Sequence, residues 1–137
     1  MKLTTKSEYA LLILIQLARE KALPKTSVFV RLETICKSHD LSMKYAEQQA
    51  SALKKSGLVM SRRGAGGGYQ LAKSTEEISL AEVIRMMDGA LAPIGSVSKY
   101  FPSHTRLDSE AGVIAVMQEI RNDIARKMEQ TSLCDLL

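Results

Sequence analysis

Residues 62–69 read Arg-Arg-Gly-Ala-Gly-Gly-Gly-Tyr, and Gln70 and Leu71 follow them. Glycine reaches positive φ at little cost and lets a backbone approach another surface closely. Four glycines within five positions, followed by strand-forming residues, predict a tight reversal between two short strands. The adjacent arginines place cations at the shoulder of this reversal. Taken alone, the pattern indicates only a basic hairpin tip.

The preceding residues place this tip in a larger motif. Apolar residues at i, i+3 and i+4 spacing predict a short helix over residues 31–38. After a brief turn, Ser42 is a suitable N-cap for a longer helix over residues 43–56, which Gly57 closes. A short helix, a turn of three or four residues and a longer helix are typical of a helix-turn-helix.

A strand over residues 58–61 connects the second helix to the glycine-rich reversal, and Tyr69 begins the returning strand. A helix-turn-helix followed by a basic hairpin is a winged helix, whose tip would lie along a DNA backbone with Arg62 and Arg63. A dinucleotide-binding GxGxxG motif would need glycine where Tyr69 stands, and the Gly-Lys-Ser/Thr of a phosphate loop is absent. The glycines therefore favour a wing over a nucleotide site.

The longer helix has the composition of a DNA-reading element. Its N-terminal turns carry polar residues that can address base edges or phosphates, namely Ser42, Lys44, Tyr45, Glu47 and Gln48. Carboxylates accept from cytosine and amides pair with adenine, and in this motif such residues enter the major groove. When this helix is considered alone, the same polar residues are also consistent with an ordinary solvent-exposed helix face that does not bind DNA.

Three further helices are predicted around this motif. Thr5 and Glu8 have capping-box spacing, which predicts a helix over about residues 5–21 that is apolar on more than one side. Ser79 and Glu82 repeat that spacing and predict a second helix, which ends near Met87.

The third of these helices, over about residues 109–130, carries an apolar stripe at helical spacing. Packing within the subunit and pairing with a second copy both explain the stripe. We expect pairing, since a helix-turn-helix reader gains from two half-sites. Residues 88–107, which precede this helix, lack clear periodicity, and loops of such length are often functional.

Composition bounds the class of protein. The chain has 137 residues, 45% hydrophobic and 25% charged, with a net charge of +4, which is ordinary for a globular domain. Residues 1–72 hold twelve Lys and Arg against five Asp and Glu, whereas residues 73–137 hold seven against ten. A basic first half suggests a polyanionic partner. The longest apolar run is too short to cross a membrane, and a cytoplasmic protein without a signal peptide is expected.

The combined motifs resemble the Rrf2 family of bacterial winged-helix transcription regulators. The resemblance covers nearly the whole chain and is carried by residues 30–35, 41–48, 53–59, 63–72, 78–84 and 131–136. It implies a homodimer that binds double-stranded DNA at a pseudopalindromic operator, most simply as a repressor. It also implies DNA contacts from Lys44, Tyr45, Glu47 and Arg63. We add Ser42, Gln48, Arg62, Gly66 and Gly67 as candidate DNA-binding residues.

The resemblance also bears on how a signal would be sensed. Family members that bind an iron–sulfur cluster carry three cysteines in the loop corresponding to residues 88–110, where this chain has none. Hydroxyl groups are poor substitutes for thiolates as cluster ligands. The chain therefore resembles the cluster-free branch, and we expect no cofactor. The signal is expected to be a small molecule, a protein partner or oxidation of a thiol, with Cys36, Cys134 and His104 as candidate sensing residues.

These predictions amount to a mainly α-helical fold with a small β-hairpin. A winged helix-turn-helix domain spans residues 1–87, an effector-sensing loop 88–107, and a dimerisation helix with the C-terminal tail 108–137. The function predicted is DNA-binding transcription regulation, not enzymatic catalysis, because neither His39 nor His104 lies in a recognisable catalytic arrangement. Two alternatives are a regulator that senses iron–sulfur or redox signals through non-cysteine ligands or the two cysteines, and a winged helix that contacts only protein.

Overall fold

Five α-helices and one two-stranded antiparallel sheet make up the fold, in a computed structural model that describes residues 1–137. The elements, in chain order, are α1 (Thr5–Arg19), α2 (Leu32–His39), α3 (Met43–Lys55), β1 (Val59–Arg62), β2 (Gly68–Leu71), α4 (Leu80–Asp88) and α5 (Ala111–Gln130). Two short 3-10 helices, Gly95–Val97 and Cys134–Leu136, follow α4 and α5. The prediction of a mainly helical winged helix-turn-helix with one hairpin is confirmed.

Two helices begin at the serine caps that the sequence predicts. The Ser42 hydroxyl accepts the backbone N–H of Tyr45 at 3.3 Å, and the Ser79 hydroxyl accepts that of Glu82 at 3.0 Å. These contacts satisfy N–H groups that have no partner within the helix. The Glu82 carboxylate itself pairs with Lys73 at 3.0 Å.

The first helix is capped one residue earlier than predicted. Thr4, rather than Thr5, accepts the backbone N–H of Ser7 at 3.4 Å, and Thr4 has the extended backbone of an N-cap. The choice between two adjacent threonines is made by a tertiary contact, because Thr4 also bonds the carboxylate of Asp88 at the end of α4. At the other end, α1 stops at Arg19, short of the predicted residue 21.

The main core is a cluster of 19 buried residues centred on α1. This helix packs against both α3 and α4. Ile13, Leu14 and Leu17 are fully buried there. Leu11 and Ile15 of the same helix pack at the edge of this core and are only half-buried. The core thus fixes the helix-turn-helix, while part of α1 stays at the surface of the subunit.

The wing, meaning residues 59–71, packs onto the chain segment that precedes α2. Its strands pair Val59 with Leu71 and Arg62 with Gly68 at the two ends of the ladder. Val30 extends the sheet, since its N–H and C=O each bond Tyr69 at 2.8 Å. Gly68 has φ +139°, and a Cβ there would overlap the backbone of Val30. Only glycine permits this close approach.

The C-terminal part consists of one long helix and a tail that returns to the winged helix. The long helix starts at Ala111 rather than residue 109, and Ala125 is its only fully buried residue. Beyond it, Ser132 pairs with Ser79, and Leu133 is buried in the main core. None of the helices combines the length and the apolar character needed to cross a membrane.

Candidate nucleic-acid interface

The N-terminal half of α3 presents polar side chains on its outer face. Ser42, Lys44, Glu47 and Gln48 are exposed, and Tyr45 is half-buried. The inner face of the helix packs on the core through the buried residues Ala46, Gln49, Ala50 and Leu53. The helix is thus held from behind, which leaves the predicted reading residues free to meet a ligand.

Tyr9 of α1 fixes the start of α3. Its hydroxyl accepts the backbone N–H of Ser42 at 3.0 Å. Its ring meets that of Tyr45 edge-on, with ring centroids 4.8 Å apart and planes at 87°. Edge-to-face pairs are a favoured aromatic geometry. Tyr9 therefore sets both the cap and the first aromatic side chain of the predicted reading helix, a role that its local sequence does not signal.

The two arginines of the wing have different surroundings. Arg62 folds back over the hairpin, donating from Nη2 to the Gly66 carbonyl at 2.8 Å, and its guanidinium carbon lies 4.2 Å from the centre of the Phe29 ring. Arg63 is exposed and forms no side-chain hydrogen bond or ion pair within the chain. Gly67 is buried, and a Cβ there would overlap the Arg62 carbonyl.

Arg31 reaches the wing tip from outside the hairpin. Its Nη2 donates to the carbonyl oxygens of Gly64 at 3.2 Å and Ala65 at 3.3 Å. Arg31 is also the N-cap residue of α2. Sequence reasoning missed this contact, because the partners lie more than 30 positions apart and no local pattern links them.

A cleft of about 450 Å³ separates α3 from the wing. The charged residues that line it are four cations and two carboxylates, namely Arg31, Lys54, Arg62, Arg63, Glu33 and Glu47. Tyr69 also lines the cleft. The pKa of its hydroxyl is raised, first by burial and then by the negative charges of Glu47 and Glu33. The cleft brings the predicted reading helix and the predicted wing arginine to one face of the molecule.

The three candidate sensing residues do not come together as a common ligand set. Cys36 is buried, and burial, reinforced by Glu33 and Glu47, raises its thiol pKa. Cys134 is exposed in the C-terminal tail. His104 is fully exposed and lies 3.2 Å from the Asp108 carboxylate.

The described geometry defines a class: a winged helix-turn-helix DNA-binding protein, with α3 as the recognition helix and residues 59–71 as the wing. Residues 3–137 match the Rrf2 family, described as iron-dependent transcriptional regulators. The chain belongs to this family. It is therefore a DNA-binding transcriptional regulator and not an enzyme.

Individual relatives agree with this membership. The HTH-type transcriptional regulator CymR of Bacillus subtilis is 33% identical over 136 residues, which cover 99% of this chain and 89% of CymR. The IscR regulator of Cereibacter sphaeroides is 39% identical over 88 residues, or 64% of this chain and 56% of that protein. The solved structure of B. subtilis CymR matches with a TM-score of 0.82 at 31% identity, covering 99% of this chain and 95% of that one. The structure of T. potens IscR matches with a TM-score of 0.73 at 28% identity, covering 99% and 85%.

The iron dependence in the family's description raises the question of whether this chain has suitable ligands. Residues 88–110 contain no cysteine, and the hydroxyl-bearing Ser96, Ser103 and Ser109 stand there instead. The Ser96 hydroxyl lies 3.5 Å from that of Thr105. Among residues 1–137, no three His, Cys, Asp or Glu side chains come together as a metal site. Since iron–sulfur clusters are held by thiolates, this donor set does not fit one.

Proposed function

We propose that this regulator is a homodimeric repressor that binds a pseudopalindromic operator and senses its signal without an iron–sulfur cluster. The observation that carries the proposal is that Glu47, from the exposed face of α3, and the free Arg63 of the wing line one cleft. Ser42, Lys44, Tyr45 and Gln48 lie outside the lining of this cleft. An α-helix is about 10–12 Å across. It therefore fits a major groove about 12 Å wide, with the wing against the neighbouring backbone.

Within this arrangement the residues of α3 read the bases. Glu47 accepts from a cytosine amino group and Gln48 pairs with adenine, while Lys44 addresses guanine or a phosphate. Tyr45 packs against sugar or thymine methyl. The Ser42 hydroxyl accepts from Tyr45 as a cap and keeps its own hydrogen for a phosphate oxygen.

The wing contacts the backbone through Arg63, whose guanidinium has no competing partner in the chain. Gly66 is exposed and has no side chain, so a phosphate can approach the tip closely. Arg62 and Gly67 contribute to DNA binding by shaping the tip. Arg62 is bonded to Gly66, and Gly67 packs so closely on the Arg62 carbonyl that no side chain would fit there. A cytoplasmic location follows from a chromosomal ligand.

The exposed apolar surface of α5 supports the homodimer. Val116 is 53% exposed and Ile120 39% exposed, and Val113 and Met117 are half-buried on the same stripe, whereas Ile124 packs within the subunit on Ala81, Ile84 and Leu91. A helix of 20 residues with one fully buried side chain needs a partner to cover such a stripe. Half-buried Leu11 and Ile15 of α1 add apolar surface to the subunit.

Residues 88–107, the sensor segment, are proposed to receive the signal. They connect α4 to α5 and border a cavity of about 470 Å³ lined by Ser96, Ser103, His104 and Asp108, with Pro102 and Ile114. Hydroxyl, imidazole and carboxylate groups suit a small polar molecule. The burial and raised pKa of Cys36 weigh against thiol oxidation there, since the thiolate is the reactive form.

The proposal is tested by selecting bound duplexes from a library of random DNA. The wild-type protein should enrich a two-fold-related sequence with half-site centres one helical turn, about 34–36 Å, apart or a multiple of that distance. A reporter gene carrying that sequence in its promoter should be expressed less when the protein is present, because a dimer there blocks polymerase. A winged helix that contacts only protein would enrich no sequence, and enrichment of a single, unrepeated half-site would contradict the dimer.

A further inference from the structure

Three consecutive carbonyl groups at the wing tip are bonded by two guanidinium groups. Arg31 donates to the oxygens of Gly64 and Ala65, and Arg62 donates to that of Gly66. The backbone of the tip makes one further bond, from the Gly67 N–H to the Gly64 carbonyl at 3.0 Å. The conformation of the tip therefore depends largely on these two arginines.

The tip has little else to hold it in place. Glycine loses more conformational freedom on ordering than any other residue, and residues 64–68 contain one side chain, the methyl group of Ala65. Because the tip has almost no side chains, hydrogen bonds to its backbone are the main interactions that can order it. Arg31 supplies two such bonds from outside the hairpin, whereas Arg62 belongs to the hairpin itself.

The backbone from which the Arg31 side chain extends is held in place on both sides. Its backbone is the extended N-cap of α2, and the preceding residue, Val30, is paired with Tyr69 by two bonds of 2.8 Å. Val30 is itself buried in the main core. The guanidinium thus ties the tip of the wing to the helix-turn-helix.

The same contact alters the charge that the tip presents. Carbonyl oxygens carry partial negative charge and would repel a phosphate, and a guanidinium bonded to them supplies positive charge at that place. Arg31 also lines the cleft that Arg63 lines. Arg31 therefore contributes to both the order and the charge of the tip.

We propose that Arg31 is a positioning residue for DNA binding, which orders the wing tip before DNA arrives so that Arg63 meets the backbone. The inference rests on the proposed DNA contact of Arg63. It assigns to Arg31 a contribution that acts through the wing, whereas an arginine that binds phosphate directly would act independently of Arg63.

A double-mutant cycle tests the assignment on the duplex that the wild-type protein selects. Arg31→Ala should weaken binding about threefold to tenfold, the effect of one or two lost hydrogen bonds. In an Arg63→Ala background the same change should have less than about a twofold effect, because coupled residues are not additive. Arg31→Met keeps much of the side-chain length but has no hydrogen-bond donor, so it should behave like Arg31→Ala. Lys37→Ala, an exposed cation on α2 without a contact to the wing, is the matched control.

A second readout follows the tip without DNA. In the free protein, Arg31→Ala should speed amide hydrogen exchange at Gly67 and leave the amides of α3 unchanged. Equal losses for Arg31→Ala in both backgrounds would overturn the positioning role in favour of a direct contact, and wild-type affinity for Arg31→Met would show that the bonds to the tip are not needed. If Arg63→Ala weakens binding and Arg31→Ala does not, this inference alone fails. If Arg63→Ala has no effect, the wing contact fails and this inference with it.

Discussion

Arg62 and Arg63 are neighbours in sequence and both line the cleft beside α3, but they differ in their partners. Arg62 bonds Gly66 and lies over the Phe29 ring, whereas the Arg63 side chain has no partner in the chain. Of these two adjacent arginines, Arg62 therefore shapes the wing tip and Arg63 is free to bind a ligand. The distinction matters for mutagenesis, because the two substitutions would weaken DNA binding for different reasons.

Glu47 is the residue whose substitution should change sequence preference. It is exposed on α3 and lines the cleft, and a carboxylate that meets a base edge there would favour cytosine, from whose amino group it can accept. Glu47→Ala should relax preference at one position of each half-site by about 1–3 kcal/mol, measured by repeating the duplex selection with the variant.

Glu33 provides the matched control for that experiment. It lines the same cleft but belongs to α2 rather than α3. Glu33→Ala should change affinity for all duplexes similarly and leave the selected sequence intact. An identical consensus from wild type and Glu47→Ala would remove Glu47 from the reading set.

Part of the candidate site could be predicted from sequence patterns that span only a few residues. Ser42 as a cap and the glycine-rich reversal follow from chemistry within a few residues, and the structure confirms both. The contacts of Tyr9 and Arg31 join residues about 33 positions apart, and no periodicity or motif encodes such a pairing. The capping-box rule selects Thr5, because Glu8 follows it three positions later, but the contact of Thr4 with Asp88 places the cap of α1 one residue earlier.

At the scale of elements, α1 connects the sensor segment to α3. Asp88 is the last residue of α4 and the first of that segment, and its carboxylate bonds Thr4 and, at 2.7 Å, the hydroxyl of Ser7. Tyr9 lies one half-turn further along α1 and bonds the cap of α3. These contacts join the proposed sensor segment, through α1, to the start of the recognition helix.

Asp88→Ala should destabilise the fold through α1. Ser7 is fully buried, and the substitution leaves its hydroxyl without the acceptor it has now. An unsatisfied buried hydroxyl costs about 1–3 kcal/mol, which urea denaturation would report as a lower free energy of unfolding.

Asp123→Ala is the control for that measurement. Asp123 pairs with Arg126 on the exposed face of α5, with side chains 70% and 61% exposed. Exposed pairs of this kind contribute at most about 1 kcal/mol. Equal losses for the two aspartate variants would contradict the importance of the contact between Asp88 and Ser7.

At the scale of the whole molecule, the proposed homodimer depends on the exposed part of the apolar stripe on α5. Val116→Glu combined with Ile120→Glu places two carboxylates on the stripe, where a partner helix would have to desolvate them. The variant should sediment as a monomer at concentrations where the wild type is a dimer, and it should lose affinity for the two-fold operator.

Glu119 allows a control on the same helix, since it is exposed on the polar side. Glu119→Gln should leave both the sedimentation behaviour and the affinity unchanged. Circular dichroism separates loss of pairing from loss of fold, because the monomer should retain its helices. A dimeric double-glutamate variant would show that α5 is not the pairing surface.

The central claim, DNA binding by α3 and the wing, is tested most directly by the salt dependence of affinity for the selected duplex. Wild type, Arg63→Ala and the control Arg126→Ala, on the exposed face of α5, would be titrated at several salt concentrations. The logarithm of affinity should fall linearly with the logarithm of salt concentration. Arg63→Ala should bind more weakly, with a slope smaller by about 0.9 for the one lost phosphate contact. Affinity and slope that are the same in wild type and Arg63→Ala would contradict the account.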